Sequence, residues 1–168
     1  MTTLAFIDRL RELHEKAKRG TLQPGERPEY ESARRELGRL LLVAQHLNHG
    51  GKTLRSQFRI ARVIKIEIDL GGESPEKTTT IDLASGGFAA LLPHGQPVGR
   101  GVRFKMQLPG FGGGGARTIE GSAKVASSRP QGSLHRVSFA FAVLDAKDRD
   151  HLETVIVDEV LARFQNPV

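Results

Sequence analysis

Apolar residues recur every three to four positions over residues 3–19, the spacing that puts side chains on one face of an α-helix. The face consists of Leu4, Ile7, Leu10, Leu13 and Ala17. A second face of this kind runs from about residue 28 to residue 47, and glycines follow both segments, where helices commonly end. Because the intervening segment is short, we expect the two helices to form an antiparallel hairpin.

From residue 62 onward the apolar period changes from helical to alternating, which indicates β-strands with one buried face. The strand-like segments are residues 62–70, 77–83, 87–93, 101–109, 118–128 and 134–144. Short strands separated by turn residues favour an antiparallel barrel or sandwich. Residues 145–164 return to helical spacing, with Asp145 or Asp148 as the N-cap. The pattern therefore predicts an α+β protein with a C-terminal helix.

The distribution of charge is more informative than the composition as a whole. The chain has no cysteine, which excludes disulfides, thiol catalysis and cysteine-ligated zinc. Its net charge of +6 suits an anionic partner. Residues 51–66 carry five basic residues and no acidic one. This basic segment lies where the helical pattern gives way to strands, so we consider it a candidate binding site.

Other motifs support neither an enzyme nor a metal site. Residues 110–115 (GFGGGG) satisfy G-x-G-x-x-G, but a strand pattern follows instead of a helix, so we expect a hairpin loop. His46 and His49 lack a third ligand at metal-binding spacing, and no acid, base and nucleophile set stands out. With no bilayer-spanning apolar stretch and no secretory signal, we expect a cytoplasmic protein without a membrane span.

Arg55 and Arg59 lie four positions apart in the basic segment, and Asp82 follows with two glycines nearby. Arginine can grip phosphate or the O6/N7 edge of guanine in bidentate fashion. A carboxylate can accept the paired N1–H and N2–H donors of guanine. These residues would suit a guanine nucleotide, although linker charges and a turn aspartate explain them equally well on chemistry alone.

The joint arrangement resembles the PilZ domain, a bacterial receptor module for cyclic di-GMP. That family carries R-x-x-x-R just before its first strand and D/N-x-S-x-x-G further along the chain. Residues 55–59 (RSQFR) match the first motif, and residues 82–87 (DLASGG) match the second after 22 intervening residues, except at the serine. The resemblance covers roughly residues 52–163. It implies a six-stranded antiparallel β-barrel, with the helical hairpin of residues 1–50 as one domain and residues 51–168 as the other.

The resemblance also implies a ligand site and a switch. Arg55 and Arg59 would wrap the phosphates and guanine edges of cyclic di-GMP, Asp82 would accept the guanine donors, and Gly87 would permit the turn beneath. The basic linker would become ordered around the ligand and move the hairpin, which would pass the signal to a protein partner. No cofactor, metal ion or catalytic step is implied.

Ala84 stands where the family motif has serine, so one hydroxyl is missing. A lost hydrogen bond to a charged group costs about 1.5 to 3 kcal/mol. The alternative function is therefore a ligand-independent PilZ-like interaction module that has lost nucleotide binding. The apolar face of the hairpin would serve a homodimer as easily as an intramolecular core. A nucleic-acid binder is disfavoured because the chain has only eight Phe, one Tyr and no Trp for base stacking.

Overall fold

The computed structural model describes residues 3–48 and 57–165, in which three helices and six strands follow one another. The helices are α1 (Thr3–Arg19), α2 (Arg27–Asn48) and α3 (Ala146–Gln165). The strands are β1 (Lys65–Asp69), β2 (Glu76–Ala84), β3 (Gly87–Leu92), β4 (Gly101–Leu108), β5 (Arg117–Gln131) and β6 (Leu134–Leu144). Each predicted element is present, and the bounds of α1 agree with the apolar period.

The six strands form a closed antiparallel barrel in the order β1-β2-β3-β6-β5-β4. Alternate residues of each strand point inward, as in β4, where Val102, Phe104, Met106 and Leu108 are buried between exposed neighbours. Phe88 stacks on Phe139 with ring centroids 4.9 Å apart at the centre of an aromatic cluster. The α+β fold with a six-stranded antiparallel barrel, a C-terminal helix and an N-terminal helical hairpin is confirmed.

The first strand begins at Lys65, three residues later than the alternation predicts. The buried Thr80 hydroxyl donates to the Arg62 carbonyl at 2.6 Å and accepts from the Ile64 amide at 3.0 Å. A side chain thus supplies hydrogen bonds that a regular ladder would take from backbone. The alternating apolar pattern records burial, not the kind of hydrogen bond, and therefore could not place this boundary.

By contacts, the chain divides into two compact units. The barrel unit comprises residues 59–110 and 115–153, and the helical unit comprises residues 1–58, 111–114 and 154–168. Helix α3 runs across this division, with residues 146–153 in the barrel unit and residues 154–165 in the helical unit. The domain boundary at residue 50 stays a prediction.

Within the helical unit, α1 and α2 form the expected antiparallel hairpin. Lys16, near the end of α1, forms an ion pair of 2.6 Å with Glu26, just before α2. One turn away from that end of each helix, His14 of α1 is hydrogen-bonded to the hydroxyl of Tyr30 of α2. The residues buried in this unit are Leu10, Leu13, His14, Tyr30, Leu37, Thr154, Val155, Ile156, Val157, Val160 and Leu161. No helix within residues 3–48 or 57–165 has the length and apolarity needed to cross a bilayer.

The N-cap of α3 is Asp145, the first of the two predicted candidates. Its carboxylate accepts a hydrogen bond from the Lys147 amide at 2.8 Å, and its carbonyl accepts one from the Arg149 amide at 2.8 Å. Asp148 instead lies in the first turn and pairs with Arg117 at 2.7 Å. An aspartate at the N-cap satisfies one of the unpaired amides at the start of a helix.

Candidate ligand-binding site

The segment that carries Arg59 pairs with β2 of the barrel through one isolated antiparallel β-bridge. The amide of Ile60 donates to the Leu83 carbonyl at 2.9 Å, and the amide of Leu83 donates to the Ile60 carbonyl at 2.9 Å. Ile60 and Leu83 are both buried. Because neighbouring residues in an extended chain point to opposite sides, this bridge turns Arg59 toward the outer face of the barrel.

Asp82 reaches that outer face because β2 contains a bulge. Thr80 pairs with Ala90 and Asp82 pairs with Ala89, so Ile81 is an extra residue in the ladder. In a regular strand, residues two apart share a face, but the bulge places Asp82 on the face opposite to Thr80. Bulges commonly re-aim a side chain in this way, and this one presents a carboxylate outside the barrel.

The geometry brings together two of the residues selected from the sequence. The Nη1 atom of Arg59 lies 3.5 Å from the Oδ2 atom of Asp82. The Asp82 side chain is 13% exposed and that of Arg59 is 32% exposed, so the pair is partly shielded from water. Ala84 is buried and lies two residues from Asp82 on the same face of β2. Arg55 lies outside the described residues.

A second arginine, which the sequence analysis did not select, contacts the same carboxylate. Arg136 of β6 donates from Nη2 to Oδ2 of Asp82. The two residues are 54 positions apart in the chain and come together because β3 pairs with both β2 and β6. The alternation of β6 predicts that Arg136 points outward, but no sequence motif associates it with Asp82.

Gly87 lies directly after the turn and packs closely against β6. The turn consists of Ser85 and Gly86, while Gly87 is the first residue of β3. A Cβ atom at Gly87 would lie 2.0 Å from the carbonyl oxygen of Phe139. The fold of the barrel therefore requires glycine here, whether or not a ligand binds.

The turn itself is held by two contacts of the barrel unit. Arg149 donates from Nη1 to the Ser85 carbonyl at 3.0 Å, and the amide of Phe141 donates to the Gly86 carbonyl at 2.9 Å. These bonds hold the backbone on which Asp82 and Ala84 lie. Within residues 3–48 and 57–165 there is no group of three or more metal-ligating side chains.

Comparison with solved structures finds the same fold in two bacterial proteins. The motility inhibitor MotI (DgrA) of Bacillus subtilis matches with a TM-score of 0.53 and 22% identity over 64% of this chain and 52% of its own. YcgR of Escherichia coli, solved in complex with c-di-GMP, matches with a TM-score of 0.52 and 23% identity over 66% of this chain and 48% of its own. The matches thus span about half the length of these proteins.

No curated protein has a sequence that matches the chain. The model of the PilZ domain family, in contrast, matches residues 53–158. This match covers more than half of the chain, from the basic segment through the six strands and into α3. It also contains both motifs and the closed barrel that the resemblance implied. The chain therefore belongs to the PilZ domain family.

Proposed function

We propose that the protein is a cyclic di-GMP effector without catalytic activity, which signals to a protein partner through its helical hairpin. Cyclic di-GMP is a compact dianion with two guanine bases. Arg55 and Arg59 bind its phosphates and guanine edges, and Asp82 accepts hydrogen bonds from guanine N1–H and N2–H. The basic linker becomes ordered around the ligand, and this change carries the signal. The protein acts in the cytoplasm.

The observation that carries this proposal is the contact between Arg59 and Asp82 on the outer face of the barrel. The two residues belong to separate motifs, yet their side chains lie 3.5 Å apart. A guanidinium beside a carboxylate provides donors for phosphate and acceptors for a guanine edge within one small site. The c-di-GMP bound in the YcgR structure supports the same ligand class for this chain.

A second candidate function follows from Ala84. This methyl group lies on the same face of β2 as Asp82, where the family motif has a hydroxyl. Without that hydrogen bond the affinity is expected to fall about ten- to a hundredfold. A PilZ-like module that no longer binds nucleotide and contacts its protein partner without a ligand is the alternative function.

Calorimetric titration with cyclic di-GMP, beside GTP and GMP as controls, separates the two candidates. The effector function predicts saturable binding of cyclic di-GMP that weakens as salt rises, since phosphate contacts are screened. Arg55→Ala, Arg59→Ala and Asp82→Ala are each expected to abolish most of this binding. Absence of saturable heat at high ligand concentration and low salt would favour the ligand-independent module.

Two further variants sharpen the titration. Arg117→Ala is the matched control, because it removes one exposed arginine whose partner is Asp148. The affinity of this variant for cyclic di-GMP should stay within about twofold of that of the wild type. Ala84→Ser restores the hydroxyl beside Asp82 and should tighten binding, by up to about a hundredfold. An Ala84→Ser protein that binds no better than the wild type would contradict the role assigned to this position.

A further inference from the structure

We infer that Arg136 is a third arginine of the ligand site, an inference that rests on the proposed function. In the structure, Arg136 and Arg59 both contact Oδ2 of Asp82. When the nucleotide binds, a guanine edge takes the place of Arg136 on Asp82. The released guanidinium then donates to the acceptors of the same ligand, either a phosphate or the O6/N7 edge of guanine.

The position of Arg136 on the outer face of the barrel makes this contact possible. Val137 and Phe139 of β6 are buried, and the alternation places Arg136 and Ser138 on the opposite face of the strand, where Ser138 is also buried. Ser138 pairs with Ala89, which in turn pairs with Asp82. Arg136 is thus one position along its face of β6 from the row that contains Asp82, within reach of that carboxylate.

The exchange on Asp82 keeps the carboxylate hydrogen-bonded, because the one bond from Nη2 of Arg136 gives way to donors of the guanine edge. A guanidinium and the N1–H/N2–H edge of guanine both offer two parallel N–H donors to a carboxylate. One can therefore replace the other without leaving Asp82 unpaired in a partly buried position. Arginine also prefers bidentate acceptors, such as phosphate or O6/N7 of guanine, and the bound ligand offers both.

The charges around Arg136 favour an anionic ligand. Its cross-strand neighbour on β5 is Arg129, and like charges directly opposite each other on a sheet destabilise it. The pairing places two positive charges side by side on this face of the sheet. An anionic ligand beside Arg136 would reduce this repulsion, so the ligand fits this surface by charge as well as by hydrogen bonding.

One donor of Arg136 is not hydrogen-bonded to the rest of the described chain. Its Nε atom is buried and has no hydrogen-bond partner among the described residues. A buried donor without an acceptor is unfavourable, because its bond to water has been lost without replacement. Rotation of the guanidinium toward a ligand acceptor gives this donor a partner, which supplies part of the driving force for the exchange.

Titration of Arg136→Ala and Arg136→Lys with cyclic di-GMP tests the inference, with Arg117→Ala as the charge-matched control. We expect Arg136→Ala to bind about ten- to a hundredfold more weakly. Arg136→Lys should be intermediate, because it keeps the charge and loses the planar fork. The salt dependence of binding should become shallower in Arg136→Ala and stay unchanged in Arg117→Ala, a difference that a purely structural role would not produce.

The same titrations distinguish a failure of this inference from a failure of the proposed function. A wild-type chain without saturable binding overturns both. A wild-type chain that binds, with Arg136→Ala binding as tightly or more tightly, overturns only the role of Arg136, since the arginine would then be a bystander or merely a competitor for Asp82. Circular dichroism of each variant confirms that the barrel is folded before its affinity is interpreted.

Discussion

The barrel unit is joined by backbone ladders between its strands, whereas the helical unit buries a network of polar side chains among its apolar residues. Backbone ladders join all six strands around the barrel. At two points the strands approach so closely that only glycine fits: a Cβ at Gly87 would lie 2.0 Å from the Phe139 carbonyl oxygen, and one at Gly121 would lie 2.3 Å from that of Val143.

The helical unit contains a buried network centred on His14, which is 2% exposed. Its Nδ1 atom lies 2.8 Å from the Tyr30 hydroxyl and its Nε2 atom lies 3.0 Å from a carboxylate oxygen of Asp158. Lys18 lies 2.8 Å from the same oxygen. The network joins α1, α2 and the second half of α3. Close backbone approach therefore constrains the barrel, whereas a titratable group is buried within the helical unit.

The protonation states in this network follow from the surroundings of each group. Burial lowers the pKa of His14, although its hydrogen bond to Asp158 opposes the shift. Burial acts to raise the pKa of Asp158, but hydrogen bonds from Lys18 and His14 outweigh it and leave that pKa below its ordinary value. At neutral pH a neutral His14 therefore donates from Nε2 to the Asp158 carboxylate and accepts at Nδ1 from the Tyr30 hydroxyl.

The largest effect is expected at Gly87 in the barrel. Gly87→Ala forces a methyl group against the backbone of β6 and should lower the free energy of unfolding by about 3 kcal/mol or more. Urea denaturation would measure the loss. Gly101→Ala is the matched control, because a Cβ atom at that position would meet no heavy atom within 4 Å, and its stability should change by less than about 1 kcal/mol. Equal stability of the two variants would contradict the role of close packing.

A smaller loss is expected at His14 in the helical unit. His14→Ala leaves the Tyr30 hydroxyl and the Asp158 carboxylate without their buried partner, and should cost about 2 to 3 kcal/mol. Tyr30→Phe removes one hydroxyl and keeps the ring, so it should cost about 1 kcal/mol. Hydrogen exchange of the amides of α1 and α2 would measure both losses. Unchanged protection in His14→Ala would show that the network does not stabilise the helices.

The pH dependence should separate the two units. His14 has a folded pKa below the ordinary value of 6.5, so the unfolded chain binds more protons once the pH falls below about 6.5. Stability of the helical unit is therefore full above that value and lost as the pH falls, by at most about 1.4 kcal/mol per pH unit for one proton. Hydrogen exchange of the amides of α1 and α2 at pH 7 and pH 5 would detect this loss of stability. In His14→Gln the difference between the two pH values should disappear.

The smallest effect is expected on the outer face of the barrel, where charged side chains form a row across the strands. Glu67 of β1 pairs with Lys77 of β2 and with Lys105 of β4 in the ladders, and the Nζ atom of Lys77 lies 3.7 Å from a Glu67 oxygen. Glu67→Gln should cost less than about 1 kcal/mol, because exposed ion pairs are weak and screened by salt. A larger loss in thermal unfolding at high salt would indicate a stronger coupling than these contacts suggest.

Most of the fold could be predicted because burial leaves a periodic trace in the sequence. The bounds of α1 follow from its apolar face, and all six strands follow from alternation and turn residues. The start of β1 could not be predicted, because the Thr80 hydroxyl replaces part of its backbone pairing. The close approach of β3 to β6 at Gly87 could not be predicted either, since a contact between strands distant in the chain leaves no mark on local sequence.

The candidate site was predictable only in part. Arg59 and Asp82 were selected from motif spacing, and their side chains lie together, although their binding of a nucleotide stays a proposal. Arg136 was not selected, because a single outward residue on a strand has no motif and its neighbour Asp82 is distant in sequence. The assignment of Arg55 stays a prediction, because this residue lies outside the described residues.

The sequence by itself determined the family, the order of helices and strands, and the identity of the groups that can bind an anion, because local period and motif spacing are properties of a linear chain. Only the tertiary structure decided that β2 carries a bulge that turns Asp82 outward, and that Arg136 reaches it from β6. Both depend on the register between strands, which is set by packing across the barrel and by contacts between residues far apart in the chain.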